Sequence, residues 1–392
     1  MAMKICFETF GCRLNRAEAL NDEARYLAAG HERTESHADA DVIVVRGCSV
    51  TARAQKDCEK LIAHLRRKYP LKKVVVTGCL KSEKSDVPPS VEQLEAPPVP
   101  TRTARAYLKV QDGCDCQCAF CIVPQFRGKS ASVPFDDALD EARRFLDAGY
   151  RELVVTGCNL SLYLSGTKRL PELVAALAEL SPAARVRLGS VEPGAVAADV
   201  VKVMDERANV CRFLHLSVQS GSDQILSAMK RPYRVKDVDT LVNETTRRMP
   251  TLGLGCDIIA GFPGEAERDF QATKSLLCRH PFSNVHVFPF SERPGTPAEK
   301  LPGAVAESVR SSRAHALADI VADKRRLFMR QFIGRDVTVV VEDENRRRGW
   351  TGEYLPCEVM HRGNCAAIRR RDLVSAKVVD VRRGTLVAVQ NS

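Results

Sequence analysis

Three times in the first 80 residues a β-branched or aromatic stretch stops at a glycine followed by a cysteine: Phe10-Gly11-Cys12, Arg46-Gly47-Cys48 and Thr77-Gly78-Cys79. The stretches Lys4–Thr9, Asp41–Val45 and Lys73–Thr77 have the composition of strands. Between them, Asn15–Ala29 (which Gly30 can stop) and Ala52–Lys68 have helical patterns. Such alternation predicts a parallel sheet with helices on its faces. In a parallel sheet all carboxyl ends share one edge, and ligands bind there. The three cysteines, distant in sequence, are therefore expected to converge. A glycine before each lets the backbone come close to a bulky ligand. Cys6 and Cys58 lack this pattern and read as core or surface residues.

A second cysteine group is local. Val110-Gln111-Asp112-Gly113-Cys114-Asp115-Cys116-Gln117-Cys118-Ala119-Phe120-Cys121 holds three cysteines spaced Cys-x3-Cys-x2-Cys, with Cys116 outside that spacing. A zinc ribbon would bring two Cys-x2-Cys pairs and close a tetrahedron. A [4Fe-4S] cluster on three thiolates instead leaves one iron open to a ligand that is not protein. Single cysteines are often small buried apolar residues, but four within eight positions argue for metal.

A chain of 392 residues accommodates roughly two or three domains of ~100–200 residues. Its fifteen cysteines are an odd number in a chain too long to need disulfide staples. No apolar run has signal-peptide length or approaches the ~20 residues of a membrane span. The expected setting is reducing cytosol, without membrane attachment, where clustered cysteines favour metal. A net charge of +10 points to a polyanionic partner.

The fold class expected is α/β in three parts. Residues 1–84 form the parallel sheet domain. Residues 85–103 form a linker, since Ser85 to Pro100 holds five prolines. Residues 104–329 repeat a strand–helix unit. The candidate strands are Ala106–Val110, Leu153–Thr156, Arg185–Gly189, Phe213–Val218, Gly255–Ala260 and Asn284–Phe288. Helical patterns such as Phe135–Ala148, Leu170–Leu180 and Val235–Arg248 lie between them, and residues 304–330 read as a long helix. Six units predict a partial (β/α)6 barrel, whose chemistry lies at the carboxyl ends of its strands. The cysteine run follows the first of these strands.

Residues 330–392 read as a small β-barrel, with strand candidates Val337–Val341, Cys357–Met360, Ala376–Val381 and Thr385–Val389. It carries twelve Lys and Arg against eight Asp and Glu. The arginines are bunched as Arg346-Arg347-Arg348, Arg369-Arg370-Arg371 and Arg382-Arg383. That bunching fits phosphate contact and equally fits a solvated basic face.

Several motifs carry a family resemblance. Phe120 precedes the last cysteine of the run, as an aromatic residue does in radical S-adenosylmethionine (SAM) enzymes. The three parts, in this order, resemble the methylthiotransferases, with an N-terminal methylthiotransferase domain, a radical SAM barrel and a C-terminal TRAM RNA-binding domain. Thr9-Phe10-Gly11-Cys12-Arg13-Leu14-Asn15 with Glu18, Cys48-Ser49-Val50-Thr51 and Val76-Thr77-Gly78-Cys79 resemble the family's first three motifs. The resemblance implies a [4Fe-4S] cluster with SAM on Cys114, Cys118 and Cys121, and an auxiliary [4Fe-4S] cluster on Cys12, Cys48 and Cys79.

Segments Val155–Asn159, Arg187–Pro193, His215–Ser222 and Asp257–Glu265 resemble the later strand ends of the barrel. By this likeness Gly157, Asn159, Ser190, Glu192, Gln219 and Ser220 are SAM-binding candidates, although each alone reads equally as a strand or helix cap. Asp257 and Glu265 read equally as loop-orienting or capping residues. Arg346, Arg347, Arg348, Arg369, Arg370 and Arg371 are the RNA-binding candidates. Two departures stand out. Arg46-Gly47 replaces the usual Asn-Thr before the second cysteine. The segment after Cys79 is short, so part of the first sheet is expected to be missing.

Lys109–Cys114, Met229-Lys230-Arg231 and Phe288–Pro297 most resemble the branch acting on N6-threonylcarbamoyladenosine at position 37 of tRNA. The resemblance implies methylthiolation of adenine C2. One SAM methylates a sulfur on the auxiliary cluster. Another is reduced to an adenosyl radical that takes the C2 hydrogen, and a reducing electron donor is required. The alternatives are isopentenyladenosine in tRNA, a ribosomal protein, or a metal-containing RNA-binding protein without enzyme activity.

Overall fold

The computed structural model describes residues 2–80, 99–100, 102–361 and 365–391. The first sheet comprises β1 (Lys4–Thr9), β2 (Glu32–Arg33), β3 (Val42–Gly47) and β4 (Lys73–Gly78), in the order β2-β1-β3-β4 and wholly parallel. Alternation along these strands serves two faces. Ile5, Val42, Val44 and Val75 pack with Tyr26 of helix α1 (Arg13–Ala28). Cys6, Ile43 and Val45 pack with Ile62 and Leu65 of helix α2 (Ala52–Lys68). The Thr51 side chain caps α2 by accepting from the Ala54 N–H at 3.1 Å. Cys6 and Cys58 are both buried, as core residues. The shortened segment after Cys79 and most of the expected linker lie outside the described residues.

Six parallel strands then build an open barrel. They are β5 (Ala106–Lys109), β6 (Glu152–Thr156), β7 (Arg185–Leu188), β8 (Phe213–Gln219), β9 (Gly253–Ala260) and β10 (Phe282–Pro289). β5, β6 and β7 pair in sequence order, and Ser190–Val191, just past Gly189, pairs with β8 and carries the curvature on to β9 and β10. The outward faces of these strands and the helices between them share one apolar core. α1 packs on the other face of β5 and β6, with Ala17 against Tyr107 and Val154. The long helix Glu307–Arg330 leads into a closed five-stranded barrel. One of its strands, Arg348–Thr351, was not visible as a β-branched run because it begins inside an arginine cluster.

The small barrel docks at the amino ends of the large barrel's strands. Glu152, fully buried, pairs with Arg185 at 2.6 Å and Arg187 at 2.7 Å. Those arginines donate onward to the carbonyls of Thr338, Trp350, Thr351 and Gly352. The two guanidiniums hold the Glu152 carboxyl down to about 2 against the opposing effect of burial. Breaking such a buried set by removing one partner typically costs about 3–5 kcal/mol. This junction leaves the carboxyl edge of the barrel to the cysteine run and the first sheet.

Candidate metal centres

Each Gly-Cys pair lies at the carboxyl end of its strand. Cys12 begins α1, Cys48 follows β3 and Cys79 follows β4. Cys48 and Cys79 are buried, while Cys12 is exposed. Burial pushes the Cys48 thiol up to about 11, and the thiols of Cys12 and Cys79 act in the same direction. Burial also raises Cys79, against the Arg127 guanidinium. Gly11 has φ +99°, and a Cβ there would lie 2.8 Å from the Cys48 sulfur. Only glycine both adopts that backbone and leaves the sulfur room.

Asn15 and Arg127 order this edge. Asn15 Nδ2 donates to the Gly47 carbonyl at 2.7 Å and the Phe10 carbonyl at 3.0 Å. Arg127 Nε donates to the Cys79 sulfur at 3.1 Å. The departure at Arg46 also has a physical account: its guanidinium pairs with Glu18 at 2.7 Å and with Asp22, tying β3 to α1.

The second group forms one loop. Ala119 N–H donates to the Met229 carbonyl at 3.0 Å, and the Ala119 carbonyl accepts from Ala298 N–H at 2.8 Å. Cys114, Cys118 and Cys121 line a cleft of about 500 Å³ together with Lys230 and Pro297. Burial pushes Cys121 up to about 11. Cys118 is raised by burial, with Arg231 opposing. Cys114 is held below the usual thiol range by hydrogen bonding from the Cys116 thiol. All fifteen cysteines are free thiols.

The strand ends beside the loop bring some SAM candidates to it and not others. Asn159 Nδ2 lies 3.5 Å from the Cys116 sulfur, and Glu192 Oε1 lies 4.0 Å from it. Glu192 also pairs with Arg231 at 2.7 Å, and Arg231 reaches the Cys118 sulfur at 2.9 Å. Gly157 packs against Gln111, where a Cβ would lie 2.9 Å from Gln111 Cβ. Gln219 sits at the end of β8 with φ +70°, and Ser190 is exposed. Ser220 is buried with its hydroxyl 3.4 Å from that of Thr273, so this side chain serves the packing of the turn. Asp257 lies between His215 and His286, 3.1 Å from each, and Glu265 orients its loop by accepting from Gly261 N–H at 2.9 Å.

Residues 108–277 match the model of the radical SAM superfamily, and residues 4–94 match that of uncharacterized protein family UPF0004. The chain is 30% identical to the threonylcarbamoyladenosine tRNA methylthiotransferase MtaB of Aquifex aeolicus, over 88% of this chain and 94% of that protein. It is also 30% identical to the tRNA-2-methylthio-N(6)-dimethylallyladenosine synthase of Roseobacter denitrificans, over 98% of both. The chain belongs to the radical SAM tRNA methylthiotransferases. Among solved structures it is similar in fold to the radical SAM methyltransferase TsrM of Kitasatospora setae, with TM-score 0.55, 14% identity and coverage of 76% of this chain and 77% of that one.

Membership in the radical SAM methylthiotransferases implies SAM and a [4Fe-4S] cluster, and the donor chemistry here fits a cluster. Buried thiols raised by desolvation are poor thiolates alone, and a bound cation reverses that preference. Among the described residues, no helix of this methylthiotransferase is long and apolar enough to cross a membrane.

The six arginine candidates divide. Arg346, Arg347, Arg369 and Arg370 are exposed. The two bunches are neighbours, since Glu344 accepts from Arg370 N–H at 3.2 Å and the Val341 carbonyl from Arg371 N–H at 2.9 Å. Arg348 is paired with Glu358 at 2.7 Å. Arg371 reaches across the junction between the two barrels. It stacks on Tyr150 at 3.8 Å and donates to the carbonyls of Thr103 and Ala148, so it fastens the small barrel to the large one. Sequence reasoning missed Arg127 and the contact role of Arg231. The signals available were Arg127 six residues after Cys121, and Arg231 in the Met229-Lys230-Arg231 motif.

Proposed function

We propose that the chain methylthiolates C2 of N6-threonylcarbamoyladenosine at position 37 of tRNA, with two [4Fe-4S] clusters. Cys114, Cys118 and Cys121 hold the one at which SAM binds, and Cys12, Cys48 and Cys79 hold the auxiliary one. The observation that carries the reading is that Arg127, six residues after the last cysteine of the loop run, donates to the sulfur of Cys79 at a strand end of the first sheet. Residues 1–84, 104–329 and 330–392 act as sulfur-handling, radical-generating and RNA-binding parts.

A [4Fe-4S] cluster on the loop triad, when bound, supplies the electron that cleaves SAM to a radical able to take a hydrogen from an aromatic carbon. The protein residues bind and orient. Glu192, as a carboxylate, suits an ammonium group. Arg231, already paired with Glu192, suits a carboxylate. Asn159 offers both a donor and an acceptor. Arg346, Arg347, Arg369 and Arg370 suit the phosphate backbone.

Support for the threonylcarbamoyl branch comes from the segments Lys109–Cys114, Met229-Lys230-Arg231 and Phe288–Pro297, which most resemble that branch.

Mass spectrometry of tRNA nucleosides from a deletion strain tests this. The expected result is loss of the 2-methylthio form, with N6-threonylcarbamoyladenosine itself retained. Loss of the methylthio group from the isopentenyl nucleoside alone, or from a ribosomal-protein peptide alone, would overturn the choice of substrate.

A further inference from the structure

Arg127 ends the short helix Val123–Arg127, which starts two residues after Cys121. Its backbone neighbourhood belongs to the loop triad. The Gly128 carbonyl accepts from Cys114 N–H at 3.1 Å. A Cβ on Gly113 would lie 1.9 Å from the Lys129 carbonyl oxygen, so the two strands of this crossing touch. Its side chain belongs to the strand triad. Nε donates to Cys79 Sγ at 3.1 Å. Nη1 donates to Glu18 Oε1 at 2.9 Å and Asp112 Oδ1 at 3.0 Å. Nη2 donates to Glu18 Oε2 at 2.9 Å and Asn15 Oδ1 at 2.8 Å.

A guanidinium has five N–H donors in a rigid fork, and all five are used here. The group is nearly buried, with 8% of its side chain exposed. Asn15, which accepts from Arg127, donates to the carbonyls of Gly47 and Phe10 beside the other two Gly-Cys ends. One arginine therefore touches a sulfur of the strand triad, orients the residue that fixes its other two strand ends, and is pinned by its own backbone to Cys114.

The carboxylates around it are already balanced. Glu18 and Asp112 also bind Lys109, at 2.6 and 2.5 Å, and Glu18 also binds Arg46. The Nε donor is thus left to the sulfur. Hydrogen bonds to sulfur and local positive charge favour the more reduced, more negative state of an iron–sulfur centre.

We infer that Arg127 is a positioning residue that sets the spacing between the two triads and raises the reduction potential of the metal centre on Cys12, Cys48 and Cys79. The inference rests on the proposed function in taking the strand triad to hold such a centre. The test uses full-length protein with Cys114→Ala, Cys118→Ala and Cys121→Ala together, so that only the strand triad binds iron. Anaerobic reconstitution should give about four irons per chain, and a redox titration read by electron paramagnetic resonance gives the potential.

In that background Arg127→Gln should keep its iron and lower the reduced-to-oxidised ratio at a fixed potential by about tenfold, which is about 59 mV for a one-electron couple. Arg127→Lys, which keeps the charge and loses the fork, should shift it less, and it carries the test if the glutamine variant loses iron. Unchanged potentials with iron retained would overturn the inference and leave the proposed function standing. A background protein that binds no iron would overturn the two-cluster reading itself.

Discussion

Cys114, Cys118 and Cys121 come from one loop of eight residues, whereas Cys12, Cys48 and Cys79 come from three strands that must first pair. The loop triad is pinned by two backbone hydrogen bonds, to Met229 and Ala298, which share a small apolar cluster with Ala119, Phe262 and Phe290. The strand triad depends on a small sheet with two thin apolar faces. Each triad nevertheless has a buried arginine on one sulfur, Arg231 on Cys118 and Arg127 on Cys79. A site made by local spacing tolerates changes elsewhere in the fold. A site made by tertiary convergence inherits the stability of every strand that feeds it.

The sharpest break of this contrast is Cys118→Ala. Two thiolates should not retain the loop cluster, so SAM cleavage is expected to fall to background while the strand triad keeps about half of the iron. Iron analysis and quantification of 5′-deoxyadenosine check both. Retained cleavage would mean that the loop is not the site of SAM chemistry.

Graded urea should next separate the triads by stability. Iron is expected to leave in two steps, the first belonging to Cys12, Cys48 and Cys79 as the small sheet opens. Iron release to a chelator, followed in wild type and in Cys48→Ala, assigns the steps. Coincident release would show that the docked parts unfold as one unit.

Smaller still is Glu192→Gln. It leaves the loop thiols in place and removes the charge paired with Arg231, so KM for SAM should rise about tenfold with iron content unchanged. An unchanged KM would remove Glu192 from SAM binding. The smallest effects should come from the C-terminal arginines. Arg369→Ala with Arg370→Ala should lower tRNA affinity and reduce the slope of log affinity against log salt by about 1.5–2. Arg371→Ala should instead lower thermal stability and leave the slope unchanged, because its side chain is spent on Tyr150, Thr103 and Ala148.

The cysteine loop and the three Gly-Cys strand ends were legible in sequence, for different reasons. Spacing alone marked the loop. The Gly-Cys strand ends marked the other triad because a parallel sheet has only one carboxyl edge. What sequence left hidden depends on long side chains crossing between elements. Nothing local to Arg127 announces Cys79, 48 positions earlier. Nothing local to Arg371 distinguishes it from Arg369 and Arg370, yet one is a fastener and the others face solvent. The strand Arg348–Thr351 escaped because its pairing partners, and not its composition, make it a strand.

The division of labour between the triads is tested most directly by Cys48→Ala in the reconstituted enzyme. SAM cleavage and tRNA methylthiolation should be measured in one anaerobic reaction. The expected result is 5′-deoxyadenosine formed with no methylthiolated nucleoside. Loss of both activities, or retention of both, would contradict a separate sulfur-handling role for Cys12, Cys48 and Cys79.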